Sequence, residues 1–223
     1  MNIQYRLAQS DDAQDLLTIK QQVWPQEASN LQQIQMVLNL SDHLCYVAEV
    51  NNHVIGFMDC FPTSNQGVLR MDMDLLAVLP AYRGKRIAST LIQRCLQHEE
   101  LDNTAIIRTL IQVDNIASQK SFQHNGFILQ PEIITLYVTS AENGPLPIRY
   151  NGFSGHLLPV QTLNYSGFWI EAPFSSTDLV IPQHFQTLGT LLPENNEYHE
   201  QVSQLGFEKM NQYQWWILPT KEN

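Results

Sequence analysis

Residues 75–96 read L-L-A-V-L-P-A-Y-R-G-K-R-I-A-S-T-L-I-Q-R-C-L, and this stretch decides the fold. An apolar run at 75–79 stops at Pro80, and a short basic loop containing Gly84 follows. The pattern predicts a strand, a loop of a size that holds a phosphate, and a helix. Apolar residues recur after the loop at the spacing of an amphipathic helix, at Ile87, Leu91, Ile92 and Cys95.

The start of this helix is a predicted anion site. Backbone N–H groups in the first turn of a helix lack intrahelical partners, and the helix dipole is positive at that end. A phosphate placed there meets hydrogen-bond donors and positive charge together. Three cationic side chains within four residues add to that charge: Arg83, Lys85 and Arg86. The alternative is a basic helix start that faces solvent and binds no ligand.

The same loop resembles the cofactor loop of the Gcn5-related N-acetyltransferase (GNAT) family, which follows the pattern Q/R-x-x-G-x-G/A. Arg83, Arg86 and Ala88 stand at its defined positions, with Arg86 in place of the usual glycine. If that position needs a left-handed backbone, the substitution costs roughly 1 to 2 kcal/mol. The arginine could instead add a bidentate contact to a phosphate.

A second segment strengthens the resemblance. The family pattern N-x-x-A/S-x-x-x-Y/F-x-x-x-G-F is matched at full spacing by Asn115, Ser118, Phe122, Gly126 and Phe127. The two segments occur in the family's order, separated by one predicted strand at 104–113. The resemblance covers about residues 1–140, which we take as a GNAT acetyltransferase domain.

The resemblance implies a fold and a cofactor. The fold is that of the acyl-CoA N-acyltransferases, an α+β arrangement with a mostly antiparallel mixed sheet that is flanked by helices and splays open at the strand before the loop. The cofactor is acetyl-CoA, whose pantetheine arm would pair with the backbone of 76–78. The cofactor-binding residues implied are Leu76, Ala77, Val78, Arg83, Gly84, Lys85, Arg86, Ile87, Ala88, Asn115, Ser118 and Phe122.

Two carboxylates, Asp72 and Asp74, precede the loop on an otherwise apolar strand. Carboxylates are costly to bury unless they are paired or hydrated, so both are candidates for a catalytic site. The resemblance implies that Asp72 accepts the ammonium proton, directly or through water, although it is one methylene shorter than the family's glutamate. Asp74 is the substitute, or a binder of a cationic substrate. The alternative is that both face solvent as ordinary strand residues.

Phe122 departs from the tyrosine that many family members carry near the cofactor thiol. A tyrosine hydroxyl there can protonate the leaving thiolate, and phenylalanine cannot. Ser121, Tyr82 or water would take that role, or the protein binds the cofactor without fast chemistry. The resemblance also implies a backbone N–H near Val78 for the developing oxyanion.

The regions before this site predict further elements. Residues 61–67 are expected to form a loop, and the polar segment 24–29 is expected, from the resemblance, to line the acceptor side of the cleft. Asn51 and Asn52 favour a tight hairpin turn. The predicted strands lie at 3–7, 45–50 and 54–60, and the predicted helices at about 11–23 and 30–40.

Residues 141–223 are predicted to form a degenerate C-terminal GNAT-like half-domain after a linker at 143–147. Asn195 and the pair Gly206-Phe207 repeat the spacing of the second segment described above. The basic glycine loop has no counterpart here, so we expect no second cofactor site. The segment would complete the core or cover the acceptor cleft. The alternative is that Gly-Phe is simply a common way to end a helix and begin a strand.

Composition limits the possible partners. The formal net charge of -10 argues against nucleic acid or an anionic membrane and is compatible with a cationic amine. Neither a leader nor a long apolar span is present, so we expect a cytoplasmic protein. We expect no metal site, because no histidines are paired at helical spacing. Buried, reduced cysteines are expected at Cys45, Cys60 and Cys95.

These observations predict an acetyl-CoA-dependent N-acetyltransferase whose substrate is a small-molecule primary amine that attacks the thioester directly. One alternative is a CoA-binding module without turnover. Another is transfer to an amine of a peptide or protein. A homodimer is kept open as the assembly.

Overall fold

The computed structural model of the protein describes residues 2–27, 30–99, 101, 104–141, 146–182 and 186–219. Several predicted features fall wholly or partly outside these residues: the linker at 143–147, the acceptor-side positions Ala28 and Ser29, and His184. The strands are β1 (Gln4–Leu7), β2 (Leu44–Val50), β3 (His53–Asn65), β4 (Val68–Val78), β5 (Ile106–Gln112), β6 (Ile128–Leu129), β7 (Ile134–Ser140), β8 (Arg149–Tyr150), β9 (Ser154–Gln161), β10 (Ser166–Ser175), β11 (Leu179–Val180), β12 (Thr187–Pro193) and β13 (Glu208–Leu218). The helices are α1 (Ala13–Val23), α2 (Leu31–Leu38), α3 (Ile87–Leu96), α4 (Ile116–His124) and α5 (His199–Gln204).

The hairpin between β2 and β3 forms as predicted. Asn51 and Asn52 have φ angles of 51° and 62°, the left-handed conformation that asparagine tolerates better than most residues. The turn pairs the two strands so that Cys45 lies opposite Asp59. All three cysteines are buried and free, which confirms the prediction for them.

The loop predicted at 61–67 is wrong for most of its length. Strand β3 continues to Asn65, and its residues 61–65 pair with β4 from Asp72 back to Val68. The turn is confined to Gln66 and Gly67, whose φ angles are 51° and 80°. The polar and proline residues in this stretch suggested a loop. Pairing with β4 instead gives hydrogen-bond partners to the backbone N–H groups of the residues other than proline.

One sheet carries ten of the strands in the order β1-β2-β3-β4-β5-β13-β7-β12-β10-β9, with β6 paired to β13. Most neighbours are antiparallel, and β4 with β5 is a parallel exception. Among the described residues, that parallel pairing ends at Asp72 opposite Arg108. The remaining length of β4 therefore diverges from β5, which confirms the splayed sheet that the resemblance implied.

The last strand of the chain lies in the interior of the sheet. β13 pairs antiparallel with β5 on one side and with β7 on the other, so a strand near the C-terminus lies between two strands of the predicted domain 1–140. A helix, a left-handed Gly206 with φ 89° and a strand follow one another in the C-terminal segment as expected. The half-repeat and the boundary at 140/141 stay predictions.

Helices cover the N-terminal part of the sheet on both faces. Leu91, Ile92 and Cys95 of α3 are buried against one face, and Leu16 and Ile34 of α1 and α2 are buried against the other. The described residues contain no helix long and apolar enough to cross a membrane.

Candidate active site

A cleft of about 730 Å³ opens where β4 diverges from β5. Its walls come from the end of β4, the loop that follows, the first turn of α3 and one side of α4. The end of α1 closes it with Val23 and Trp24. Of the residues predicted to bind the cofactor, nine line the cleft: Leu76, Val78, Arg83, Gly84, Arg86, Ile87, Ala88, Asn115 and Ser118.

Three of the predicted cofactor residues do not line the cleft. Ala77 points to the opposite face of the sheet and is buried among the residues of α1 and α2. Lys85 places its Nζ 5.3 Å from the centre of the Tyr82 ring. Phe122 is 2% exposed and packs edge-to-face on Phe127 with ring centroids 5.0 Å apart. The position where a family tyrosine would act is thus part of the core.

The start of α3 has the geometry of an anion site. Arg86 is its N-cap residue, with φ 60° and ψ 16°, so the non-glycine side chain occupies a left-handed backbone. No side chain caps the first-turn N–H groups there, and Ile87, Ala88 and Ser89 line the cleft. Arg83 Nε donates to the carbonyl of Val78 at 3.1 Å, which ties the loop to the end of β4.

Helix α4 forms the opposite wall. Asn115 Oδ1 accepts a hydrogen bond from Ser118 N at 3.2 Å, so this asparagine opens the helix as predicted. Asn125 Nδ2 donates to Ser89 Oγ at 3.0 Å and joins α4 to α3. Both hydroxyls considered as general acids reach the cleft, but Ser121 Oγ donates to Ala117 O at 2.9 Å within its own helix.

Asp72 lies away from the cleft in a buried charge cluster. Its Oδ1 accepts from Arg108 Nε at 2.7 Å and its Oδ2 accepts from Thr63 Oγ1 at 2.5 Å. Burial raises the pKa of Asp72, against the opposing effect of Arg108. Glu171 of β10 completes the cluster with Nη atoms of Arg70 and Arg108 at 2.7 Å each. Both oxygens of Asp72 are therefore occupied by residues of the protein itself.

Asp74 has a different environment. It is exposed to solvent and lies two residues before Leu76, a distance of about 7 Å along a strand. The surrounding protein reduces the solvation of its carboxyl, and the charges of Asp59 and Asp72 add to this effect, so its pKa is raised to about 7. Lys20 opposes the shift. A carboxyl with this pKa is half ionised near neutral pH.

The C-terminal segment contributes residues near Asp74 that sequence reasoning missed. The turn between β9 and β10 docks on α1, where Lys20 Nζ donates to Leu163 O at 3.2 Å and to Asn164 Oδ1. Burial raises the pKa of Tyr165 and of Tyr213, and the negative charge of Asp74 acts on both in the same direction. A sequence separation of more than 90 residues leaves no local pattern that could reveal this proximity.

The described residues hold no cluster of three or more histidine, cysteine or carboxylate side chains suited to a metal ion.

Comparison with known proteins relates the part of the chain that forms the cleft to one family. Residues 11–127 match the family model described as acetyltransferase (GNAT) family. Diaminobutyrate acetyltransferase from Paenibacillus lautus, solved with L-2,4-diaminobutyric acid and coenzyme A, has a TM-score of 0.57 at 12% identity over 100% of this chain and 97% of that one. No curated protein matches the sequence significantly.

Two further structures share the fold. A fungal GCN5-related glucosamine N-acetyltransferase region, part of a multi-domain beta-N-acetylglucosaminidase, has a TM-score of 0.63 at 9% identity over 97% of this chain and 38% of that one. The NatC complex bound to Gag peptide and CoA has a TM-score of 0.53 at 23% identity over 59% and 88%. The expected acyl-CoA N-acyltransferase fold is confirmed.

Proposed function

Because the chain belongs to the acetyltransferase (GNAT) family, we propose that it transfers the acetyl group of acetyl-CoA to a primary amine of a small, cationic substrate. The observation that carries the proposal is the cleft between the splayed end of β4 and the uncapped start of α3. It offers a free strand edge and an anion site side by side, which are what a pantetheine arm and its phosphates require.

The cofactor would lie along this cleft. The backbone of Leu76 and Val78 would pair with the amides of the pantetheine arm, and the first-turn N–H groups of α3 with the side chain of Arg86 would bind the phosphates. Asn115 and Ser118 would flank the arm from α4. When bound, acetyl-CoA supplies the thioester that the amine attacks.

Asp74 is the proton acceptor that we favour over Asp72. A substrate amine is protonated at neutral pH, since an alkylammonium group has a pKa near that of lysine, about 10.4. It must lose a proton before or during its attack on the thioester. Asp74 is exposed, and its pKa of about 7 suits a general base. Asp72 is 3% exposed with both oxygens engaged, and it would act by positioning Arg108.

The acceptor would bind beside Asp74, under the turn between β9 and β10. Glu27 approaches the same region and accepts from Asn164 Nδ2 at 3.4 Å, and its negative charge acts on Asp74 and Tyr213. Two carboxylates beside aromatic rings favour a cationic amine, and the docked turn favours a small one over a protein chain.

Tyr82, which lines the cleft, is our preferred donor of a proton to the leaving thiolate. A cytoplasmic location and a homodimer stay predictions.

The test is thiol release from acetyl-CoA against a panel of polyamines, aminoglycosides, amino acids and peptides. We expect turnover on a small cationic amine, and a loss of roughly 10²- to 10⁴-fold in kcat for Asp74→Asn, as for loss of a general base. Asp178→Asn, which removes an exposed carboxylate paired with Arg149, is the matched control and should retain full activity.

CoA binding is measured on the same proteins by calorimetry. Asp74→Asn should bind CoA as the unchanged protein does, because Asp74 does not line the cleft. Tight CoA binding with no turnover on any amine would instead identify a module without catalysis. Turnover on peptides alone would identify a peptide acetyltransferase.

A further inference from the structure

Lys20 of α1 is a buried lysine whose hydrogen-bond acceptors carry no charge. It is 0% exposed, and its Nζ donates to Leu163 O at 3.2 Å and to Asn164 Oδ1. Among the described residues, no carboxylate forms an ion pair with it. Lysine is almost never fully buried unless it is paired with a charge, so this position calls for an explanation.

Lys20 lies on the side of α1 that faces the sheet. It follows Leu16 by four residues, so the two share one face of the helix. Leu16 is fully buried in the core formed by α1 and α2, and Leu75 of β4 packs against the same core. The helix therefore holds Lys20 over the part of the sheet to which Leu75 belongs.

A bulge in β4 brings Asp74 to this side of the sheet. The pairing of β3 with β4 shifts by one residue, so Asp59 stands opposite both Asp74 and Leu75. Met73 and Leu76 both contact the core under α3, whereas strict alternation would send them to opposite faces. The two residues between them therefore share the face that α1 covers.

Lys20 opposes several negative charges at Asp74. Reduced solvation is the largest cause that raises the pKa of Asp74, and the charges of Asp59, Asp72 and Glu27 raise it further. The charge of Lys20 lowers it. Burial in turn lowers the pKa of Lys20, and the charges of Glu27, Asp59 and Asp74 favour its ammonium form. Lys20 and the proposed base thus stabilise each other's charged forms.

The other titratable groups that face Asp74 do not replace Lys20. Burial is the largest cause of the raised pKa of Tyr165 and of Tyr213, and the charge of Asp74 adds to it, so both hydroxyls are neutral near pH 7. Burial lowers the pKa of His43, but the charge of Asp59 outweighs burial and the net shift is upward. His43 Nε2 lies 2.5 Å from Asp59 Oδ1, so its positive charge is matched within that pair.

The same ammonium holds the acceptor side together. Leu163 and Asn164 belong to the turn between β9 and β10, and Asn164 Nδ2 donates to Glu27 Oε2 at 3.4 Å. The backbone carbonyl of Lys20 accepts from Trp24 N at 2.7 Å, and Trp24 lines the cleft. Lys20 therefore joins the end of α1, which closes the cleft, to the turn that covers the acceptor.

We propose that Lys20 is a positioning residue for the transfer: its buried ammonium favours the carboxylate form of Asp74, and its hydrogen bonds hold the turn between β9 and β10 over the acceptor. The inference rests on the proposed function and assigns a role to a residue that touches neither substrate. An apolar side chain would fill the same place in the core. It would leave Asp74 with burial and three carboxylates unopposed, and the base would be protonated at neutral pH.

Lys20→Met in the full chain tests the charge, because methionine is a flexible, apolar side chain of similar length. We expect kcat/KM for the amine to inflect at a higher pH than in the unchanged protein. Below the inflection it should be lower by about 3- to 30-fold, as for loss of one partly screened charge near a carboxyl. At about pH 9 the difference should shrink, since Asp74 is ionised in both proteins.

Gln33→Met is the matched control. Gln33 Nε2 donates to Thr162 O at 2.9 Å, so it ties the same turn to α2 without a charge. KM for the amine should rise in both variants, because both loosen the turn. The inflection should move in Lys20→Met alone.

Two further variants keep the test independent of how well Lys20→Met folds. Lys20→Gln removes the charge but retains a hydrogen-bond donor, and it should move the inflection in the same direction. Glu27→Gln removes an opposite charge at an exposed position, so it should move the inflection to lower pH. In an Asp74→Asn background, Lys20→Met should leave the pH dependence unchanged.

A readout without turnover comes from NMR. The carboxyl carbon of Asp74 is followed through a pH titration of the protein labelled with ¹³C at aspartate carboxyls, and Asp74→Asn identifies its signal. The midpoint should lie at higher pH in Lys20→Met than in the unchanged protein. An unchanged midpoint would overturn the proposal whether or not the protein acetylates an amine.

The outcomes distinguish this proposal from the function on which it rests. An unchanged protein without turnover on any amine would overturn the proposed function and the role of Lys20 in it. Turnover in the unchanged protein, with the same inflection in Lys20→Met, would overturn the positioning role and leave the acetyltransferase standing. Equal rises in KM in Lys20→Met and Gln33→Met, without a shift of the inflection, would show that Lys20 only holds the turn.

Discussion

Arg108 of β5 places its Nη2 2.7 Å from Glu171 Oε1 of β10, and both residues are less than 10% exposed. The guanidinium also stacks over Trp215 of β13, with Cζ 4.0 Å from the ring centre. A residue of the GNAT-like part of the chain is therefore held by two residues of the C-terminal segment. The two parts of the sheet share a charged contact as well as hydrogen-bonded strands.

Glu171→Gln should be strongly destabilising. The change leaves the buried cations Arg70 and Arg108 without their shared counterion, and losing one partner of a buried pair costs roughly 3 to 5 kcal/mol. Urea unfolding measures this cost. The exposed pair of Arg149 and Asp178 is the control, and Asp178→Asn should have little effect on the midpoint.

The contact between Glu171 and the two arginines also predicts how the stability of the protein changes at acid pH. Burial would raise the pKa of Glu171, but its bonds to Arg108 and Arg70 outweigh burial, and the net pKa is lowered. The pKa of such a carboxyl is lower in the folded protein than in the unfolded chain, where it is near 4.3. The carboxylate therefore stabilises the fold fully above about pH 4.3, and this contribution is lost as the pH falls through the pKa of the folded state. In Glu171→Gln the midpoint should fall less between pH 5 and 3 than in the unchanged protein. An equal fall in both would contradict this assignment.

Leu163→Ala should destabilise the protein by roughly 2 to 5 kcal/mol. Leu163 is fully buried in the core formed by α1 and α2, although it belongs to the turn between β9 and β10. Truncation leaves a cavity where this turn docks. Thermal or urea unfolding measures the loss, with Val180→Ala, at an exposed position, as the matched control. KM for the amine should rise more than KM for acetyl-CoA, because the turn covers the acceptor side.

The rate should depend on pH through Asp74. Its pKa is raised to about 7, and a general base works in its ionised form. We expect kcat/KM for the amine to rise as the pH increases through about 7 and then to level off. The rise should be absent in Asp74→Asn and retained in Asp74→Glu. A profile that keeps its inflection in Asp74→Asn would assign the titration to another group.

Arg86 combines a left-handed backbone with a predicted phosphate contact, and two variants separate these effects. Arg86→Gly relieves a strain of roughly 1 to 2 kcal/mol, but glycine adds roughly 0.4 to 1 kcal/mol of unfolded-state entropy, so net stability should rise by about 0 to 1.6 kcal/mol. Arg86→Gln keeps the strain and loses the charge. Calorimetry should show weaker CoA binding in both. Unchanged binding in Arg86→Gln would remove the arginine from the phosphate site.

Local patterns were sufficient where neighbours in sequence act together. The strand, basic loop and helix at 75–96, the cap at Asn115 and the turn at Asn51 and Asn52 all rest on interactions within a few residues. The loop predicted at 61–67 failed because pairing with β4, a tertiary effect, outweighed the polar and proline residues.

The sequence by itself determined the family and nine of the positions that line the cleft, because these depend on short spacings and on the side-chain types that bind a phosphate. Only the tertiary structure decided how Asp72 and Asp74 differ. Asp72 accepts hydrogen bonds from Arg108 and Thr63. Asp74 is exposed to solvent, and the negative charge of Asp59 contributes to its raised pKa. Both are aspartates two residues apart on one strand. Their protonation depends on burial and on partners brought from distant strands, and no local pattern records either.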